Sequence, residues 1–296
     1  MIWLILGGSG QLGQTLIKQL EEHGYREVYS PDSKVLNISS PEVVSSYIEQ
    51  LNPQIIVNCA AYTDVDSAEI HQELADSINA NGVRNIAIAG RAVKALFYHI
   101  STDYVFSGDS IKPWREEEIK APINIYGLSK SRGEDMAIEE YIHGTRIFRT
   151  SGLYSPYGSN IAKFIIKKAL FSNDIINCVV NQYTQPTSSK DLAERIIVSY
   201  ENNLECGIYH ATNGGATNWY EFAKVIFECI GSPIDRLVAV QDTFFVRKAT
   251  RPRYSVLGHD NWNRNGIGPM RDWKMGLVEI LPQLILTVQK ETKYGV

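Results

Sequence analysis

The chain has 296 residues, 44% hydrophobic and 21% charged, a composition that gives a globular protein a sizeable core and excludes disorder, collagen and coiled coil. Its 29 basic and 33 acidic residues leave a formal net charge of −4, so it carries no electrostatic footprint for nucleic acid. The length fits one large domain or two medium ones, and 22 glycines against 11 prolines fit a fold with many tight turns.

Ile2 to Leu6 is a short apolar run rich in β-formers, the pattern of a strand buried on both faces. It is far shorter than the roughly 20 residues of a membrane span. No basic segment precedes it and glycines follow at once, so no signal peptide is expected and the protein reads as soluble and cytoplasmic. From Leu12 the apolar positions Leu12, Leu16, Ile17 and Leu20 follow helical spacing, closed by Gly24. Further strand-like runs at Glu27 to Tyr29, Ile55 to Cys59, Leu96 to Ile100 and Arg146 to Arg149 alternate with helical stretches, the best at Pro41 to Leu51, Glu69 to Val93 and Ser129 to Tyr141. This alternation predicts an α/β fold, a doubly wound and mostly parallel sheet over residues 1–150.

Beyond residue 150 glycine and tyrosine become denser, as in Tyr154 to Gly158, and a smaller mixed α/β lobe is expected over 151–296. Ser188 to Tyr200 reads as a helix capped by Ser189 that packs back on the sheet, so residues 176–203 are expected to return to the first domain. Trp219 to Ile230 reads as another amphipathic helix.

Gly7, Gly10 and Gly13 stand between the first strand and the first helix. Gly7 permits the tight turn, Gly10 lets a pyrophosphate approach the backbone, and Gly13 lets helix and strand pack closely, so a dinucleotide in a Rossmann-type domain is the expected ligand. The second strand ends at Ser30, with Asp32 late and Lys34 able to meet a phosphate, which leaves NADH and NADPH both open and favours NADPH.

Ser101, Thr102 and Asp103 close an apolar strand, and Tyr126 and Lys130 follow at i and i+4, one face of a helix. A cation beside a phenol lowers its pKa and poises it for proton transfer. The spacing alone is common, and Tyr220 with Lys224 repeats it without a strand end before it. Position separates the two pairs, because ligands in doubly wound sheets sit outside the carboxyl ends of strands.

Gly7 to Gly13, Asn58 to Thr63, Ser101 to Phe106 and Tyr126 to Lys130 together resemble the extended short-chain dehydrogenase/reductases, and more narrowly the dTDP-4-dehydrorhamnose reductase family. Val65 to Glu69, Asn181-Gln182, Pro186-Thr187 and Arg251-Pro252 with Ser255 and Leu257 extend the resemblance along the chain. The resemblance implies reduction of the C4 keto group of a nucleotide-linked 4-keto-6-deoxyhexose by NAD(P)H, with Tyr126 as proton donor, Lys130 as its partner and ribose ligand, and Thr102 beside the keto oxygen. It puts Gln11 and Leu12 at the pyrophosphate, Asn37 and Ile38 at the adenine, and Ala60, Ala61 and Thr63 along the ribose and phosphates. Ser101 then lies near the nicotinamide and Asp103 helps to hold the sugar. A homodimer and the absence of a catalytic metal are further expectations from it. The alternatives are a reductase of another nucleotide sugar or C4 stereochemistry, and a non-catalytic NAD(P)-binding regulatory subunit.

The sequence also departs from that family. Asn37 stands for a usual aspartate, Gly152 for a substrate-facing tryptophan, Gln14 and Thr15 for acidic metal-binding positions, and Gly258 to Pro269 lacks the usual lysine pattern in a lobe that shapes the nucleotide pocket. Cys59, Cys178, Cys206 and Cys229 lack any Cys-x-x-Cys pairing and read as buried, reduced thiols. The six histidines show no paired ligand spacing, and His99 reads as a satisfied core residue. Glu116 to Glu118 reads as a solvated loop, Asp64 and Asp66 as caps of a helix near Ala68, and Tyr154, Tyr157 and Tyr183 either as packing or as stacking residues.

Overall fold

The structure, a computed structural model, describes residues 1–295. Its centre is a six-stranded parallel sheet, in the order β2 (Glu27–Tyr29), β1 (Ile2–Leu6), β3 (Ile55–Asn58), β4 (Leu96–Thr102), β5 (Thr145–Thr150), β9 (Gly207–His210). Successive side chains of a strand point to opposite faces, and the core divides accordingly. Trp3, Ile5, Ile55 and Val57 enter one cluster, with α1 (Gln11–Glu22) and α8 (Ser189–Glu201). Leu4, Leu6 and Ile56 enter the other, with α2 (Pro41–Leu51) and α5 (Gly82–Val93) and with Ala137 of α6 (Ile125–Tyr141). Both faces are covered, which is why the strands read as continuous apolar runs. The α/β class and the doubly wound parallel sheet expected from the sequence are therefore present.

A third cluster gathers α7 (Ile161–Phe171), α9 (Trp219–Ile230) and α11 (Trp273–Tyr294) around the two-stranded pair of β7 (Ile176–Val179) and β10 (Leu237–Val240). Another short pair joins β6 (Leu153–Tyr154) to β8 (Thr187–Ser188). Of residues 176–203, α8 lies on the large sheet against α1, whereas β7 pairs with β10 outside it. The sheet's sixth strand comes later, from Gly207–His210.

Several local expectations change. The helix expected over Glu69 to Val93 starts at Gln72 and runs as α4 (Gln72–Asp76), a π-helical turn Ser77–Asn81 and α5, with a separate short helix α3 (Val65–Ala68) before it. Asn79 in the π-turn is buried and donates to Tyr62 O at 3.0 Å and to Ser129 Oγ at 3.0 Å, so the extra residue turns a polar side chain inward. α6 begins four residues before Ser129, capped by Asn124. Ser189 does not cap α8: it lies inside the helix, and neither Ser188 nor Ser189 Oγ finds a partner. Asp64 does cap α3 through Ser67 N, but Asp66 instead pairs with Arg251 across the molecule at 2.6 Å. Of the four free cysteines only Cys178 is buried, and Cys229 is exposed. Glu116 is buried rather than solvated, its Oε1 accepting from Asn261 N at 3.3 Å. Among the described residues no helix is long and apolar enough to cross a membrane.

The carboxy-terminal stretch closes the sheet rather than the cleft. α10 (Asp260–Arg264) seats Trp262 against Phe148 and Tyr209 in the core, with its indole N–H donating to His210 O at 2.8 Å and Arg195 over its ring at 4.7 Å. Trp262→Ala is expected to lower stability by about 3–5 kcal/mol in urea unfolding, the cost of an uncollapsed cavity plus an orphaned carbonyl. A loss under about 1 kcal/mol would mean that α10 is not part of the core.

Candidate active site

A cleft of about 1160 Å³ opens at the carboxyl ends of β1, β3, β4 and β5, where the chain order reverses between β1 and β3. The sequence-derived residues Gly7, Gly10, Gln11, Leu12, Gly13, Ser30, Asn37, Ile38, Ala60, Ala61, Thr63, Ser101, Thr102, Asp103, Tyr126 and Lys130 all line it. Lys34 does not; it lies exposed in a turn held by Asp32 Oδ1, which accepts from Lys34 N at 2.8 Å and Val35 N at 3.0 Å.

At one end lies the turn from β1 into α1. Gly7 has φ +75°, and a Cβ there would lie 2.6 Å from Ala60 N, so only glycine fits where the two strand ends approach. A Cβ on Gly13 would overlap Gly7 O. Gly10 caps α1 without a side chain, so the first N–H groups of the helix face the cleft unpartnered, a cradle that fits a pyrophosphate. The neighbouring Ala60 to Thr63 segment is pinned by Asn79, whose Oδ1 accepts from Tyr62 N at 2.8 Å.

At the other end Tyr126 stands edge-on to Tyr104, ring centroids 5.9 Å apart, with the Thr102 hydroxyl near enough to act on its phenol. Burial pushes the Tyr126 phenol up to about 12, Thr102 opposing and Asp103 adding to the rise. This reverses the expected lowering by Lys130. The Lys130 Nζ is turned to the strand behind, donating to Ile100 O at 2.6 Å and meeting His99 Nε2 at 3.3 Å, and burial brings it down to about 8. Thr102 Oγ1 donates to Asp103 Oδ1 at 3.1 Å, and Ser151 Oγ donates to Asp103 Oδ2 at 2.7 Å. Ser101 Oγ does not face the cleft freely: it donates to Glu134 Oε1 at 2.5 Å.

The family described as RmlD substrate binding domain matches residues 1–285. The dTDP-4-dehydrorhamnose reductase of Streptomyces griseus is 37% identical over 287 residues, 95% of this chain and 93% of that one. The chain belongs to the dTDP-4-dehydrorhamnose reductase family. A member from Bacillus anthracis, solved in complex with NADP, superposes with a TM-score of 0.91 at 38% identity, covering 96% of this chain and 100% of that one. A relative from Streptomyces antibioticus, 36% identical over 100% of this chain and 99% of its own length, is named a probable dTDP-4,6-dihydroxy-2-methyloxan-3-one 4-ketoreductase.

Residues that the sequence reading of this family did not single out also line the cleft. Trp219, at the start of α9, brings an indole to Gly152: a Cβ on Gly152 would lie 3.3 Å from Trp219 Cη2, and both residues face the cleft. An indole thus stands beside Gly152 in the cleft, contributed from 67 positions further on. Thr184, whose Oγ1 shares a hydrogen bond of 2.7 Å with Ser151 Oγ, is a second such residue. Gly258 to Pro269, expected at the nucleotide pocket, does not line the cleft. Tyr154 is wholly buried core, whereas Tyr183 is half-exposed and tilted against Tyr254 at 6.3 Å. Among the described residues no group of three or more His, Cys, Asp or Glu is placed to hold a metal ion.

The buried Asp103 carboxyl, ordinarily at 3.8, is raised to about 6 by burial, against the partial opposition of the Ser255, Ser151 and Thr102 hydroxyls. Its folded pKa lies above the unfolded one, so the native state favours the protonated carboxyl, and that stabilisation is full below about pH 4 and lost as pH rises through about 6. Asp103→Asn, neutral throughout, is expected to gain on the wild type by about 3 kcal/mol across that window in urea unfolding. Parallel stability curves for the two proteins would contradict the burial of this charge.

Proposed function

We propose that the chain reduces the C4 keto group of a dTDP-linked 4-keto-6-deoxy sugar with NADPH, with dTDP-4-dehydro-L-rhamnose as substrate and Tyr126 as proton donor. The observation that carries this reading is one continuous cleft with the glycine cradle at one end and Tyr126 beside Thr102 at the other. The relatives named as dTDP-sugar reductases and the member holding NADP support it.

Bound NADPH supplies the hydride for such a reduction. In the residue roles we assign, the α1 N-terminus and Gln11 and Leu12 hold its pyrophosphate, Ser30, Asn37 and Ile38 its adenosine, and Ala60, Ala61 and Thr63 the ribose and phosphates between. Residues 1–150, with α8 and β9, form the cofactor-binding part, and most of 151–296 covers the sugar nucleotide. A phenol at about 12 stays protonated at neutral pH and is a stronger acid than the alcohol it forms, so Tyr126 gives its proton to the carbonyl oxygen as charge develops there. Thr102 adds a second hydrogen bond to the same oxygen by turning its one hydroxyl proton away from Asp103 Oδ1, where it rests without substrate. Trp219 and Gly152 wall the substrate end, and the cytoplasm, where nucleotide sugars and NADPH are made, is the proposed compartment.

The test follows NADPH and NADH oxidation with dTDP-4-dehydro-L-rhamnose, beside UDP-, GDP- and CDP-linked 4-keto sugars. Tyr126→Phe is expected to lower kcat by about 10²–10⁴-fold while NADPH binding, followed by calorimetry, is retained. Unchanged turnover in that variant would remove Tyr126 as the acid. Turnover only with another nucleotide sugar would move the substrate and keep the chemistry.

A further inference from the structure

Behind the cleft lies a hydrogen-bonded chain that the reaction as described does not use. Asn58 ends β3, His99 faces it from β4, and both are wholly buried. The polarity of the chain follows from its one fixed end. Ala60 N–H is a backbone donor 3.1 Å from Asn58 Oδ1, so the amide oxygen faces Ala60 and Nδ2 faces His99 Nδ1 at 3.3 Å. An amide nitrogen only donates. His99 Nδ1 therefore accepts, and a neutral imidazole then carries its proton on Nε2.

That Nε2–H points at Lys130 Nζ, 3.3 Å away. An ammonium has only donors to offer there, whereas an amine has a lone pair. As an amine, Lys130 accepts from His99, donates to Ile100 O at 2.6 Å and keeps one N–H for the cleft. We propose that Asn58 and His99 are positioning residues for Lys130: by fixing the Nε2–H tautomer they oppose its ammonium and favour its amine, so that Lys130 exchanges a proton more readily than a lysine held by oxygen acceptors alone. The proposal rests on the reading that puts Lys130 in the reductase machinery.

The other groups around Lys130 leave room for this control. Glu134, one turn further on α6, favours the ammonium but is already engaged by Arg149 at 2.8 Å and Lys120 at 3.3 Å. The Cys59 thiol, just past β3, is pushed up to about 12 by its desolvated surroundings and stays neutral, and Tyr126 is likewise neutral. The imidazolium form of His99 is disfavoured by burial first and by Lys130 second. Burial of Lys130 itself acts in the same direction as the tautomer, toward about 8.

The experiment is NMR on the full chain. Two-bond ¹⁵N correlations report the His99 tautomer, and the ¹³Cε shift of Lys130, assigned by its loss in Lys130→Arg, reports the protonation midpoint. The Nε2–H tautomer is expected in the wild type. Asn58→Ala frees His99 to move its proton to Nδ1 and turn a lone pair to Lys130, so the Lys130 midpoint is expected to rise by about one pH unit or more. The Nδ1–H tautomer in the wild type, or an unmoved midpoint in folded Asn58→Ala, would overturn the proposal; where that variant does not fold, the wild-type tautomer decides. Neither readout needs turnover, so a failure of the reductase reading, seen as absent NADPH oxidation, stays distinct from a failure of this one.

Discussion

The seating of α6 depends on one buried ion pair. Arg149 at the end of β5 forks onto Glu134, Nε to Oε1 at 2.9 Å and Nη2 to Oε2 at 2.8 Å, with both side chains at or below 1% exposure. Ser101 from β4 and Lys120 from the following loop complete the carboxylate's partners, and Arg149 also reaches Glu116 O at 3.1 Å and His210 of β9 at 3.3 Å. Three strands and a loop are thereby tied to a single turn of one helix. Such a pair adds little net stability over an apolar core, but removing one partner leaves a buried charge that costs about 3–5 kcal/mol. What it adds is position. The buried positions of α6 are Gly127, Ser129, Lys130, Ser131, Gly133, Glu134 and Ala137, none with a large apolar side chain, so no apolar stripe sets the helix's rotation. The polar partners set it, and with it the direction of Tyr126 and Lys130.

A second constraint joins the two halves of the molecule. Asp66 accepts from Arg251 through both oxygens and from the backbone of Lys248 and Ala249, so the 248–251 segment is fastened beside the cleft. Asp191 of α8 takes Arg271 at 3.0 and 2.7 Å and Asn213 at 2.7 Å, tying the large sheet's helix to the start of α11. Each half is thus held at two separated points, one near the cleft and one behind it. The chain gains this by crossing back through α8, β9 and α10, a route that a simple two-part division of the sequence does not show.

The sheet was legible because burial on both faces writes itself into sequence as unbroken apolar runs, and the glycine turn because its steric demands admit one residue type. The start of α6 was not legible for the reason just given: its inward face reads as polar, so apolar periodicity begins only after its first turn. The π-turn at Ser77–Asn81 was hidden because one inserted residue shifts the helical phase without breaking the run. Asp66, Glu116 and His99 all resembled surface or inert core residues, and each is defined by a partner far along the chain: Arg251, Asn261 and Lys130. Trp219 belongs with them, since only the folded chain brings its indole to Gly152. Spacing rules see neighbours along the chain, and the polar and aromatic furniture of this cleft is assembled from residues that are not neighbours there.

The same blindness explains the reversed pKa logic at Tyr126. An i, i+4 pair suggests a lysine that depresses its phenol, but side chains on one helical face still choose their own partners. Lys130 turns to the Ile100 carbonyl and His99, the fixed dipoles that the strand end offers. The phenol is left in a desolvated pocket that raises it to about 12. For a base that removes a proton from an alcohol this would be a handicap, since the phenolate would be scarce at neutral pH. For an acid it is none, because an alkoxide is far more basic than a phenolate and draws the proton off as it forms. A buried, undepressed phenol beside the Thr102 hydroxyl is therefore compatible with the proton-donor role proposed for Tyr126, because that role needs the phenol protonated at neutral pH.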